Sequence, residues 1–172
     1  MRLDRFAKLA VTWSQNQPDK KRDPATGEWR VTGTHCNRFV ALCANEVGCN
    51  QLGAPDEWTA NEIISRIEQL VLKGLAWREV DPAEAQRIAN LHQLVVAGAK
   101  QEPHGHVCLV IPGEMGWSKK HQSDMPQVAN AGADNFYGRL ASFAFPPDLP
   151  PRFWAWEGPY HPEAETDEER AS

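Results

Sequence analysis

Midway along this chain the spacing of apolar residues changes from three and four to two. Side chains three or four apart share a helix face and side chains two apart share a strand face, so the change separates helices from strands. Before it, Phe6, Leu9, Ala10 and Trp13 line a helix predicted from Asp4 to about Trp13. Phe39, Val40, Cys43 and Val47 line a second, with Cys36 on the same face one turn earlier. Ile63, Ile64, Ile67, Leu70 and Val71 line a third, opened by a Thr59–Glu62 capping box and stopped by Gly74. A fourth starts at Asp81, with Pro82 suited to the first helical position and Glu84 three residues after the cap. Then come "QLVVAGA", "HVCLVIP", "PQVANA", "LASFAF" and "RFWAW", short β-rich runs bounded by Gly and Pro. The polar stretch "SQNQPDKKRDPATGEWRVTGT" reads as an ordered loop or short hairpin. Helices first and strands after predict an α+β fold, one antiparallel sheet against a helical layer. The expected organisation is a single domain over 1–160 and an acidic, disordered tail over 161–172.

Composition narrows the function classes. No apolar run approaches the roughly 18–20 residues that span a bilayer. The N-terminal "MRLDRFAKLAVTWSQNQ" lacks an apolar stretch with a small-residue cleavage site, so a chain made in the cytoplasm without a cleaved signal is expected. Net charge is -5 and no basic cluster exceeds "DKKRD", which argues against a nucleic-acid footprint. Cysteines at 36, 43, 49 and 108 are too few and scattered for a disulfide scaffold and lack the CxxC spacing of a zinc site. An incidental Cys43–Cys108 bridge is the most that is expected, and no metal or organic cofactor is implied.

One cysteine differs from the rest. In "THCNRFVALCANEVG" Cys36 stands where a helix begins, and a helix N-terminus stabilises a thiolate through its dipole and free N–H groups. Such a thiol needs a base, and "EPHGHVCLVIPG" offers His106 on a strand. Positions 104, 106, 108 and 110 share one face of that strand, while Val107, Leu109 and Ile111 form an apolar face that must be core. His104 is therefore an alternative base or a supporting partner. A third group must orient the imidazole, and "PQVANAG" supplies Gln127 and Asn130. His35 and Asn37 flank the cysteine, as helix caps or substrate contacts. Cys43, Cys49 and Cys108 read as small buried hydrophobes.

This arrangement resembles the papain-like cell-wall hydrolases, the NlpC-type peptidases and CHAP amidases. In them a Cys opens a helix, a Gly-His pair begins a strand, and a polar residue on the following strand completes a triad. The matching stretches are "THCNRFV" with Cys36, "GHVCLVIPG" with His106 and "PQVANAG" with Asn130, within residues 33–145. The resemblance implies a papain-like fold with N-terminal helices packed on a small antiparallel sheet. It implies a cysteine peptidase or amidase cutting an amide bond in peptidoglycan, in the stem peptide or at its junction with the glycan. Cys36 is then the nucleophile, His106 the base and Asn130 the orienting residue. The implied partners are peptidoglycan and a cognate immunity protein that plugs the cleft around Cys36, with no nucleic acid, no membrane and a monomeric enzyme. Two roles fit: a secreted antibacterial toxin acting in the periplasm or wall of a target bacterium, or a phage-type lysin, the single-domain form favouring the toxin. Two rivals are a thiol hydrolase or transferase of the same fold acting on a non-wall amide, and a non-catalytic binding module using the Trp-rich C-terminal strands.

Overall fold

The amphipathic stripes of the second and third predicted helices find apolar partners in the computed structural model, which describes residues 1–159. The acidic tail expected at 161–172 lies outside the described residues. In chain order the elements are α1 (Leu3–Ala10), β1 (Asp19–Arg22), β2 (Trp29–Gly33), α2 (Cys36–Glu46) and α3 (Ala60–Leu72). There follow β3 (Trp77–Val80), α4 (Pro82–Ala89), β4 (Val95–Ala99), β5 (His106–Val110) and β6 (Gly116–Ser118). The last are β7 (Ser123–Met125), β8 (Gln127–Ala131), β9 (Asn135–Leu140) and β10 (Arg152–Trp156). The chain is a mixed helix-and-strand fold with antiparallel sheets. Six strands form the main sheet in the order β3-β10-β4-β5-β8-β9, and every neighbouring pair is antiparallel. The pairs β1–β2 and β6–β7 are separate two-stranded ribbons.

Several elements differ from the sequence reading. The first helix ends at Ala10 rather than near Trp13, because the Asn16 side-chain amide donates to the Ala10 carbonyl at 2.8 Å and caps the helix there. Its buried side is Leu3, Ala7 and Ala10, while Leu9 is exposed. A strand, β3, falls between the third and fourth helices, so helices and strands are not fully segregated. The run "LASFAF" is no strand: β9 stops at Leu140 and a short 3-10 turn over Ala141–Phe143 follows, with the Phe145 N–H donating to the Ala141 carbonyl. The polar stretch after the first helix does form a hairpin, β1–β2.

The sheet is covered on both faces rather than one. On one side α1, α2 and α3 contribute Leu3, Ala7, Phe39, Val40, Ile63 and Ile67 to one cluster with Val107, Leu109, Val96 and Trp154. On the other, Ala85 and Ile88 of α4 join Phe145, Ala97, Cys108, Val110, Val128 and Phe153. Two covered faces explain why β4 is buried along its whole length, an unbroken apolar run rather than an alternation. Cys43 and Cys108 belong to these opposite layers, so the sheet stands between them, and all four cysteines are free. Among the described residues no helix is long and apolar enough to cross a membrane.

Helix starts carry the fold's local specification. The Thr59–Glu62 capping box is formed, and the Asp81 carboxylate accepts from the Glu84 N–H at 2.8 Å ahead of Pro82. Asp81→Ala removes the cap of the short α4 and is expected to cost about 1 kcal/mol. A urea melt with unchanged slope and a lower midpoint is the expected result.

Candidate active site

The start of α2 and the start of β5 meet at the same end of the sheet. Phe39, Val40 and Cys43 are fully buried, and they bind α2 to the Val107 and Leu109 face of β5. Burying a side chain such as Phe39 contributes roughly 1.5–3 kcal/mol, so the helix position is well determined. Two ties fix its first turn. The Asn37 amide donates to the Trp58 carbonyl at 2.7 Å, and Arg38 pairs with Asp56. The N-cap residue His35 makes no side-chain capping bond. The first N–H groups of α2 thus remain for other acceptors.

Across from Cys36, β5 opens a gap in the sheet. Its ladder with β4 runs to Ala99↔His106, but the register with β8 ends at Leu109↔Ala129. In the unladdered stretch the Asn130 side chain reaches across, its Oδ1 lying 2.6 Å from His106 Nε2. Asn130 Nδ2 donates to the Asp134 carbonyl at 2.9 Å, which orients the amide so that oxygen faces the ring. Nε2 therefore carries the proton and donates to Asn130. Nδ1 is left for the other hydrogen-bond partner of the ring, the Cys36 thiol. The Phe145 ring packs against the imidazole with centroids 5.2 Å apart.

Two glycines make room for this contact. A Cβ on Gly132 would stand 2.9 Å from Asn130 Nδ2 and 3.1 Å from His106 Cε1. One on Gly105 would meet Asn61 Oδ1 at 2.1 Å and the Ala99 carbonyl at 2.8 Å. Asn61, at the start of α3, donates to the Gln101 carbonyl at 2.9 Å and so pins the loop that leads into His106.

Electrostatics distinguish Cys36 from the other thiols. Burial opposes its thiolate, but hydrogen bonding and charge from His106, with N–H donation from Val107 and Asn37, hold its pKa below the ordinary cysteine value. The same pairing works on His106, whose burial favours the neutral ring but whose contacts with Cys36 and then Asn130 raise its pKa. Burial meets no such opposition at Cys43 and Cys108, where it drives the pKa well up, and it pushes Cys49 to about 11. Cys36 lines a cleft of about 540 Å³ together with Val31, Thr32, Gly33, Thr59 and His104.

The structure brings Cys36, His106 and Asn130 together and separates the alternatives. Gln127 pairs at the level of Ile111, whose N–H donates to its carbonyl, five residues along β5 from His106. At about 3.3 Å per residue that is ~16 Å away. Its side chain lies instead beside Gly113. His104 is exposed on the cleft wall, in the loop before β5, and Asn37 acts as a tie between α2 and Trp58. His35 Nε2 lies 3.4 Å from Asp19 Oδ2 at the foot of the β1–β2 hairpin. Sequence reasoning missed Phe145, Gly132 and Asn61. Phe145 was hidden in a run that reads as strand, and the other two carry no local pattern. Among the described residues no group of three or more His, Cys, Asp or Glu is placed to hold a metal ion.

Iodoacetamide labelling near neutral pH is expected to fall on Cys36 and spare Cys43, Cys49 and Cys108, as read by peptide mapping. The labelling should persist to lower pH than for a free thiol of pKa ~8.5, because the folded pKa is depressed. His106→Ala leaves burial opposed only by the Val107 and Asn37 N–H groups and moves the pKa upward, so labelling at pH 7 should drop about tenfold or more. Gly132→Ala, which pushes on both Asn130 and His106, should slow labelling in the same direction.

No protein-family model matches this chain, and no curated protein matches it, so the chemistry of the site is read from its own residues.

Proposed function

We propose that this protein is a papain-like cysteine hydrolase that cleaves an amide bond in peptidoglycan, in the stem peptide or at its junction with the glycan. The observation that carries the chemistry is the line Cys36–His106–Asn130, in which Cys36 alone of four thiols has its pKa held down. The choice of peptidoglycan rests on the resemblance of the three matching stretches to the NlpC-type and CHAP enzymes.

In the proposed reaction His106 Nδ1 takes the Cys36 proton, and the thiolate sulfur attacks the amide carbonyl to form a tetrahedral intermediate. Uncapped N–H groups at the start of α2 are the available donors to the oxyanion. Collapse breaks the C–N bond, the imidazolium gives its proton to the leaving amine, and a thioester remains on Cys36. Water, deprotonated by the same ring, then releases the acid and restores the thiol. Asn130 keeps the proton on Nε2 so that Nδ1 faces the sulfur. The reading carries with it action in the wall or periplasm of a target bacterium, as a toxin, and a cognate immunity protein that covers the Cys36 cleft.

The test is mass analysis of muropeptides after incubating purified peptidoglycan with the protein. Cys36→Ala and His106→Ala are each expected to lose turnover by roughly 10,000-fold or more, and the double variant to be about as inactive as either, since the two act in one step. Asn130→Ala should be milder because that residue takes no part in bond making. All three should melt near the parent temperature. A Cys36→Ala protein that melts normally and still releases fragments would sink the mechanism. Intact thiol labelling with no muropeptide release would move the activity to a non-wall amide.

A further inference from the structure

The β1–β2 hairpin stands beside the cleft and is exposed along both strands. It ends at Gly33, three residues before Cys36, and Asp19 at its foot contacts His35, the residue before the thiol. Val31, Thr32 and Gly33 line the Cys36 cleft. Thr32 also lines a second hollow of about 260 Å³ on the hairpin, with Lys21, Arg22, Asp23 and Arg30. Thr32 is common to the linings of both hollows, so the second lies next to the first along the hairpin.

That second hollow has an unusual charge. Its wall sets three cations against one carboxylate, in a chain whose net charge is -5. Lys21 and Arg30 are directly opposite each other in the register. Like charges placed directly opposite destabilise a strand pair, and an exposed two-stranded ribbon has little stability to lose. The single carboxylate is largely committed: Asp23 Oδ2 holds Arg30 at 2.9 Å, and its Oδ1 accepts the Ala25 N–H at 2.8 Å to form the turn. Among the described residues Lys20 and Lys21 have no ion-pair partner. Arg22 is aimed by its bond to the Gly27 carbonyl at 3.0 Å.

We propose that Lys21, Arg22 and Arg30 form a carboxylate-binding arm that selects acidic peptides, gripping the part of the substrate that runs out of the Cys36 cleft. The identity of that peptide as a wall stem rests on the hydrolase reading; the preference for carboxylates does not. Guanidinium groups bind carboxylates in a planar fork and an ammonium adds a point charge, so the set suits an anionic peptide chain. A patch of three cations on an acidic protein is too small to follow a nucleic-acid backbone.

The test uses full-length Cys36→Ala protein, which binds without turnover, and two probes: a synthetic wall stem tetrapeptide with free carboxylates and its fully amidated form. Calorimetry is expected to show the acid form binding about tenfold tighter or more. The preference should vanish in about 1 M salt, where the screening length is about 3 Å. Adding Lys21→Gln and Arg30→Gln should make both peptides bind like the amidated one, with the thermal melt close to the parent. Should Arg30→Gln loosen the turn through Asp23, Lys21→Gln alone, which removes one of two opposed charges, should still lower the preference without lowering the melt. Equal binding of the two peptides, no binding of either, a preference that survives both substitutions, or tighter binding of a short DNA duplex would each overturn the arm. A clear preference for the acid form in a protein whose parent leaves peptidoglycan uncut would overturn the choice of peptidoglycan as substrate and leave the arm standing.

Discussion

The packing of α2 on β5 is the interaction on which the site depends. Cys36 and His106 are far apart in sequence, and neither has a local reason to meet the other. What joins them is apolar: Phe39, Val40 and Cys43 on one side, Val107 and Leu109 on the other, all fully buried. Because these residues follow Cys36 by one and two turns, burying them leaves the helix N-terminus at the end of the strand rather than over its middle. Cys36 and His106 sit at the first positions of their elements, and the hydrophobic residues behind them do the positioning. A site built this way keeps its geometry only as well as the core does, so its precision is a packing property.

Burial by itself works against a reactive thiol. Burial drives the pKa up at three of the four cysteines, opposed at Cys49 only by a backbone hydrogen bond from Gln51, and Cys36 is buried almost as deeply. Its depressed pKa therefore has to come from specific partners: the imidazole first, then two backbone donors. The effect is mutual, because whatever favours the thiolate favours the imidazolium beside it. Asn130 adds to this by accepting from Nε2–H, a bond that strengthens when the ring is charged. The polar line is thus self-consistent within a low-dielectric setting where an unpaired member would be costly.

How much of this was legible in the sequence depends on range. Helix faces and caps were local, and Thr59, Glu62, Asp81 and Pro82 stand in the roles that their spacing indicates. The strand runs around His106 and Asn130 were also local. The choice between Asn130 and Gln127 was not, because it turns on the register of β8 against β5, which neighbouring strands set together. The short β3 escaped notice since its Arg78 and Glu79 look like loop residues until β10 pairs with them. "LASFAF" had strand composition, but the Ala141 N–H donates to the Pro126 carbonyl and the chain turns there, leaving Phe145 free to pack on His106. Coverage of both sheet faces was likewise hidden, for it requires α4 to cross to the side opposite α2 and α3.

The break in the β5–β8 ladder links these observations. Ile111 N–H points to β8, where it donates to the Gln127 carbonyl, and residues two apart on a strand direct their backbone groups to the same side. Val107 N–H therefore also points to the β8 side, beyond the last registered pair. In an unbroken sheet it would meet a carbonyl of β8. Here it lies near the Cys36 sulfur and favours its thiolate. One local divergence of two strands thus does three things. It frees a backbone donor for the thiolate, admits the Asn130 side chain between strands to reach Nε2, and brings Gly132 against the ring, where an added Cβ would press on both Asn130 and His106. A buried N–H without a partner would cost free energy, and the sulfur is the polar group at hand where β8 offers no carbonyl. The register of β8 against β5 and the geometry around Cys36 are in this way coupled.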